Sequence, residues 1–80
     1  MIKAYVMITG DKSFSHKTTE RLAKIQGIRV VDTLYGVYDV CIVVEAKGMQ
    51  QLEKVVVSKI RTVEGVGNTL TLLVARSTPV

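Results

Sequence analysis

From Ile2 to Ile8 the chain alternates, with Ile2, Ala4, Val6 and Ile8 on one side and Lys3, Tyr5 and Met7 on the other. A period of two predicts a strand. Thr9-Gly10-Asp11-Lys12 has the composition of a turn. Ser13 or Ser15 then stands where a helix is capped, and Phe14, Leu22 and Ile25, helped by Thr18, supply an apolar stripe at helical spacing to about Gln26. Gly27 occupies the place of a left-handed residue closing that helix. Ile28 to Tyr35 is β-branched and aromatic enough for a second strand, Tyr35-Gly36-Val37-Tyr38 turns, and Asp39 to Ala46 predicts a third, the two forming a hairpin. After Lys47-Gly48, the residues Met49, Leu52, Val56, Ile60 and Val63, with Val55 beside them, predict a helix through to Glu64, ended by Gly65. Thr69 to Arg76 alternates again, with Leu70, Leu72 and Val74 facing one way, and Thr78-Pro79-Val80 is a short tail.

The order β-α-β-β-α-β belongs to the α+β class. The halves echo each other, Ile25-Gln26-Gly27-Ile28 answering Val63-Glu64-Gly65-Val66. Two split β-α-β units with right-handed crossovers give a ferredoxin-like antiparallel sheet with strands 1 and 3 central and both helices on one face. The wholly apolar set Ile2, Ala4, Val6, Ile8, Val40, Ile42, Val44, Leu70, Leu72 and Val74 is expected under the helices. The opposite face then carries Tyr5, Met7, Cys41, Val43, Thr71 and Leu73, too apolar to be left in water. Two chains are therefore expected to dimerise through this open sheet face, with Tyr5, Met7, Cys41, Val43 and Leu73 at the interface.

Length and composition press the same way. At 80 residues and 48% hydrophobic content, the chain is a single domain near the size where one core barely suffices. A lone Cys41 allows no internal disulfide, and a lone His16 leaves no set of zinc ligands. No metal or cofactor is expected, and association is the remaining source of stability. No run of residues approaches the ~20 apolar positions that span a bilayer, and Lys3 and Asp11 flank too short a run for a signal peptide. A cytoplasmic protein without membrane association is expected.

The net charge of +4 raises nucleic-acid binding without supporting it. Lys17, Arg21 and Lys24 share one helical face and Lys47, Lys54 and Arg61 another, but Glu20, Glu53 and Glu64 interleave with them, as on a solvated face. Tyr5, Phe14, Tyr35 and Tyr38 are too few and too scattered for a base-stacking platform. There is no nucleophile elbow, HExxH, phosphate loop or CxxC. Gly65-Val66-Gly67 leaves a helix instead of opening one and is no dinucleotide fingerprint.

One constellation suits a ligand. In Tyr35-Gly36-Val37-Tyr38-Asp39, Gly36 allows a turn that exposes consecutive N–H groups, a nest for a carboxylate. Asp39 offers a fixed negative charge for an ammonium, and Thr69 and Thr71 offer hydroxyls that donate and accept. Those are the needs of a zwitterionic amino acid. Each residue also has an ordinary structural use: Gly36 as turn residue, Asp39 as its cap, the threonines as strand residues.

At these motifs the sequence resembles the ligand-binding (RAM) domain of the Lrp/AsnC transcriptional regulators. The resemblance runs through Ala4-Tyr5-Val6, Tyr35 to Val40, Val44-Glu45-Ala46, Lys59 to Val66 and Asn68 to Leu72. It implies a sheet-to-sheet dimer, dimers assembled into rings, commonly octamers, and an amino-acid effector bound between dimers. Carried over, Gly36, Val37, Tyr38 and Asp39 would form the binding turn, with Thr69 and Thr71 matching the family's Thr-x-Thr near the pocket. Val37 stands where the family commonly has a polar residue. The helix-turn-helix that usually precedes this domain is not in the sequence, so residues 1–80 are expected to form a stand-alone RAM domain without direct DNA binding, acting with full-length Lrp/AsnC-type regulators. The alternatives are a small dimeric enzyme of similar topology, a monooxygenase or isomerase with His16 or Tyr5 in an enclosed pocket, and a purely architectural oligomer.

Overall fold

The alternating N-terminal segment forms the middle of the sheet. In the computed structural model, which describes residues 1–80, β1 (Ile2–Gly10) pairs antiparallel with β3 (Val40–Ala46) on one side and with β4 (Val66–Leu73) on the other. β2 (Ile28–Thr33) pairs antiparallel with β3, so the strand order is β2-β3-β1-β4. Strands 1 and 3 are central, as expected.

The first helix, α1 (His16–Leu22), begins at Ser15. The Lys17 N–H donates to the Ser15 hydroxyl at 3.2 Å, and the Ser15 N–H donates to the Thr18 hydroxyl at 3.1 Å, so two of the free donors at the helix start are used. α1 stops at Leu22 instead of Gln26. From there Lys24 and Ile25 donate to carbonyls three residues back, which tightens the chain into turns.

The second helix, α2 (Met49–Lys54), passes directly into a π-helical turn, Val55–Ile60, marked by the Arg61 N–H donating five residues back to the Val56 carbonyl. It ends at Ile60 instead of Glu64. Gly48, at its cap, has no side chain to offer, but the Gln51 Oε1 accepts from the Lys47 N–H at 2.6 Å.

The internal repeat is structural. Leu22 and Ile60 are fully buried at the ends of the two helical segments, Ile25 and Val63 donate back to their carbonyls, and Gly27 (φ 97°) and Gly65 (φ 101°) then turn each chain into its strand. A sheet irregularity follows in both halves, between Ile28 and Val30 in β2 and opposite Thr9/Gly10 in β4.

That irregularity corrects one expectation. Val66 pairs with Gly10 and Asn68 with Thr9, so Gly67 is an extra residue in β4, and beyond it Thr69, Thr71 and Leu73 stand opposite Ile8, Val6 and Ala4. Opposed residues share a face, and one inserted residue inverts the alternation. Thr69, Thr71 and Leu73 are therefore on the helix side, and Leu70 and Leu72 stand on the open face with Met7 and Tyr5. Gly67 is where this happens because a Cβ there would lie 2.7 Å from the Thr9 carbonyl oxygen, closer than any side chain allows.

The core lies between sheet and helices. Ala4, Val6, Ile8, Val40, Ile42 and Val44 meet Leu22, Leu52, Val55, Val56 and Ile60 there. Thr18 is the only buried polar side chain, and its hydroxyl donates to the Glu64 carbonyl at 3.1 Å, joining α1 to the entrance of β4. No helix is long and apolar enough to cross a membrane.

Candidate functional site

The turn between β2 and β3 is closed at its base by backbone. The Leu34 N–H donates to the Asp39 carbonyl at 2.9 Å, and the Asp39 N–H donates to the Ile8 carbonyl at 2.8 Å. Gly36 adopts φ 142°, a conformation that side-chain-bearing residues avoid, and a Cβ there would meet nothing within 4 Å. Tyr35 and Val37 project into solvent, whereas Tyr38 and Asp39 are half-buried. The Asp39 carboxylate is already engaged: its Oδ2 accepts from the Gly10 N–H at 2.7 Å, bridging 29 residues of sequence.

Of the residues singled out from the sequence, the fold gathers some and separates others. Ile8 has Val40 on one side and Thr69 on the other, so the turn and Thr69 share one end of the sheet, about 10 Å apart at two strand spacings. Thr71 lies elsewhere, in an apolar groove against α2 with Met49, Leu52, Val56 and Leu73. None of the chain's three cavities is lined by residues 35–39 or by Thr69. The turn is thus one wall of a site, open on its outer side.

The open face of the sheet carries Tyr5, Met7, Val30, Cys41, Val43, Leu70 and Leu72. Leu70 and Leu72 are 45% and 48% exposed, and Val30 is likewise uncovered. Leu73, expected on this face, is not there. A charged margin surrounds the patch, in which Arg29 Nε bonds to Glu45 Oε1 at 2.7 Å and Lys3 Nζ lies 5.5 Å from the Tyr5 ring centroid. Cys41 sits within it opposite Asp32. Burial pushes its thiol above the ordinary range, and the Asp32 carboxylate adds to the shift, so the neutral thiol is favoured over the thiolate.

Between helices and sheet the structure places neither His16 nor Tyr5. The buried side chains there are aliphatic apart from Thr18. His16 is exposed on α1, 3.8 Å from Glu20, and Tyr5 is on the opposite face of the sheet.

A cleft that no sequence motif marks lies between the two helical segments. Arg21, Lys24, Lys54 and Lys59 line it together with Gln26, Gln51, Ile25 and Val55. Helical spacing groups Lys54 with Lys47 and Arg61. At about 100° per residue, positions five apart on an α-helix are about 140° apart, but i→i+5 winding stacks them. The π-helical turn thus accompanies Lys59 joining Lys54 in the lining of one cleft, a geometry without a sequence signal.

The matches to known proteins agree with this architecture. A model of the Lrp/AsnC ligand binding domain matches residues 3–79. An uncharacterized HTH-type transcriptional regulator of Pyrococcus furiosus is 32% identical over 73 residues, which cover 88% of this chain and 49% of the regulator. The homocitrate synthase of Sulfolobus acidocaldarius is 36% identical over 76 residues, 94% of this chain but 16% of the enzyme. The chain thus spans about half the regulator's length and a small part of the synthase's. Among solved structures, a protein of Thermus thermophilus superposes with a TM-score of 0.91 at 33% identity, covering 99% of both chains. A feast or famine regulatory protein of M. tuberculosis complexed with L-methionine has the same fold, with a TM-score of 0.84 at 22% identity over 100% of this chain and 54% of that one. On sequence and fold together, this chain belongs to the Lrp/AsnC ligand-binding domain family.

Proposed function

We propose that this chain is a non-enzymatic, amino-acid-responsive assembly module. Two copies pair through their open sheet faces, dimers close into a ring, and an amino acid binds between dimers at the turn Gly36, Val37, Tyr38 and Asp39, with Thr69 at its border. Through the ring, the module modulates transcription in company with regulators that carry the same domain.

The observation that carries this reading is the one-walled turn. It is rigidly based, exposes backbone donors around Gly36, and has no facing wall in its own chain, so a ligand there is enclosed only when a second dimer supplies the other side. An effector held between two dimers favours the ring over free dimers by mass action. The L-methionine complex of the M. tuberculosis relative supports an amino acid as the effector class. Occurrence of the same domain in an HTH-type regulator and in a homocitrate synthase supports a regulatory rather than catalytic role.

Calorimetry against each of the twenty amino acids, paired with light scattering of the same samples, tests the proposal. At least one amino acid is expected to bind and to raise the mass from dimer to ring. Binding by none, with an unchanged mass, would leave an architectural oligomer. A monomer at micromolar concentration would refute the pairing of sheet faces.

A further inference from the structure

The helix layer carries a concave surface chemically unlike the turn. The cleft between the α1 segment and the α2–π segment has a volume of about 540 Å³ and is lined by Arg21, Lys24, Lys54 and Lys59, with no acidic residue among its lining. None of these four cations is in a salt bridge, since the chain's ion pairs are His16 with Glu20 and Arg29 with Glu45. Of the neighbouring acids, Glu20 pairs with His16, and Glu53 borders the depressions beyond α2, one of which Lys54 also lines. Four cations outside any salt bridge around one acid-free hollow create a positive potential that a solvated helix face with interleaved glutamates does not.

We propose that this cleft is a binding site for a polyphosphate group, as in pyrophosphate, triphosphate or a nucleoside triphosphate. Four cations lining one hollow match an anion carrying several charges in one place, whereas a single carboxylate engages only one or two of them. Arg21 supplies a forked donor and the three lysines supply point charges. Gln51 spends its carbonyl oxygen on the Lys47 N–H at 2.6 Å, which leaves its amide donors for a ligand, and Gln26 adds a second amide. Ile25 and Val55 form an apolar part of the lining. The volume falls within the ~300–1,000 Å³ of small-molecule sites. The cations surround a hollow instead of following a stripe, which fits a compact anion better than a nucleic-acid backbone. Pairing of the open sheet faces would leave the cleft free, because it lies on the other side of the sheet.

The test is calorimetric titration of pyrophosphate, tripolyphosphate and ATP into the full chain, at about 50 and about 200 mM salt. The double variant Arg21→Gln/Lys59→Gln is compared with Lys12→Gln/Lys17→Gln, which removes the same charge outside the cleft. One ligand per chain is expected, weakened roughly tenfold or more by the cleft pair and less than about twofold by the control pair. ATP binding more tightly than tripolyphosphate identifies a nucleotide, and equal binding identifies the phosphate chain alone; either supports the site. Absence of heat for all three anions at low salt would overturn it, as would equal weakening by both double variants. Tighter retention of duplex DNA than of any polyphosphate, abolished by the cleft pair, would overturn it in favour of a nucleic-acid surface.

Discussion

The Gly10 backbone N–H donates to the Asp39 carboxylate at 2.7 Å, tying the end of β1 to the start of β3 at the base of the turn between β2 and β3. A residue whose charge suits an ammonium group is thereby also a brace. One carboxylate oxygen holds the backbone, and the charge stays beside the turn.

Asp39→Ala is expected to cost about 1–3 kcal/mol, because it leaves the half-buried Gly10 donor without its partner. Asp39→Asn keeps an oxygen acceptor and should recover most of that loss in chemical denaturation. If the carboxylate also receives an ammonium, Asn should fold near normally yet fail to bind an amino acid in calorimetry. Equal amino-acid binding by wild type and Asn would restrict Asp39 to its bracing role.

The inverted alternation of β4 makes a sharp pair of predictions about assembly. Leu72→Asp places a charge on the open face and should yield monomers in light scattering, since a buried unpaired carboxylate costs several kcal/mol at an interface. Leu73→Asp, comparably exposed but on the helix side, should leave the dimer intact. Dissociation by Leu73→Asp with an intact Leu72→Asp dimer would refute the proposed interface.

Gly67→Ala drives a methyl group against the Thr9 carbonyl and is expected to destabilise by about 1–3 kcal/mol, lowering the thermal midpoint by several degrees. Gly48→Ala has nothing within 4 Å of its new methyl, and its extended φ of −168° suits any residue. Its midpoint should shift little. Differential scanning calorimetry of the two variants separates close approach from a general cost of replacing glycine.

Thr18→Val keeps the shape of a side chain only 2% exposed but leaves the Ser15 N–H and the Glu64 carbonyl without their partner. A loss of about 1–3 kcal/mol is expected, with Thr18→Ser retaining most of the stability.

The Cys41 thiol is raised in the folded chain by burial and by Asp32, so its neutral form is favoured there. Alkylation by iodoacetamide should lag behind that of free cysteine at mildly alkaline pH and approach it only at higher pH. Because the folded-state value lies above the unfolded one, this contribution to stability is complete below the ordinary thiol range and is lost as pH rises through the folded value.

How far the sequence reaches is visible in particular residues. Ile2 to Ile8 and Val40 to Ala46 were legible because a period of two with one apolar set leaves a single phase that buries it. The echo of Ile25 to Ile28 in Val63 to Val66 was legible because both halves need a left-handed glycine between helix and strand. Thr69 to Val74 was not, since its leucines and valine can be buried in either phase. The role of Asp39 as a brace was hidden for another reason: its partner is a backbone N–H, which every residue except proline carries.

The sequence by itself determined the class of fold, the identity of the central strands and the presence of a second apolar face, all of which follow from local periodicity and from the need to bury what it lines up. Tertiary structure alone decided three things. The extra residue at Gly67 decided which leucines lie on the open face, because register depends on how a strand meets its neighbour. Thr71, opposite Val6 and two residues further along β4 than Thr69, was set away from the turn and against α2. The π-helical winding from Val55 to Ile60 placed Lys59 with Lys54 in the lining of a cleft shared with Arg21 and Lys24. Contacts between segments distant in sequence are set by packing, and no local pattern encodes them.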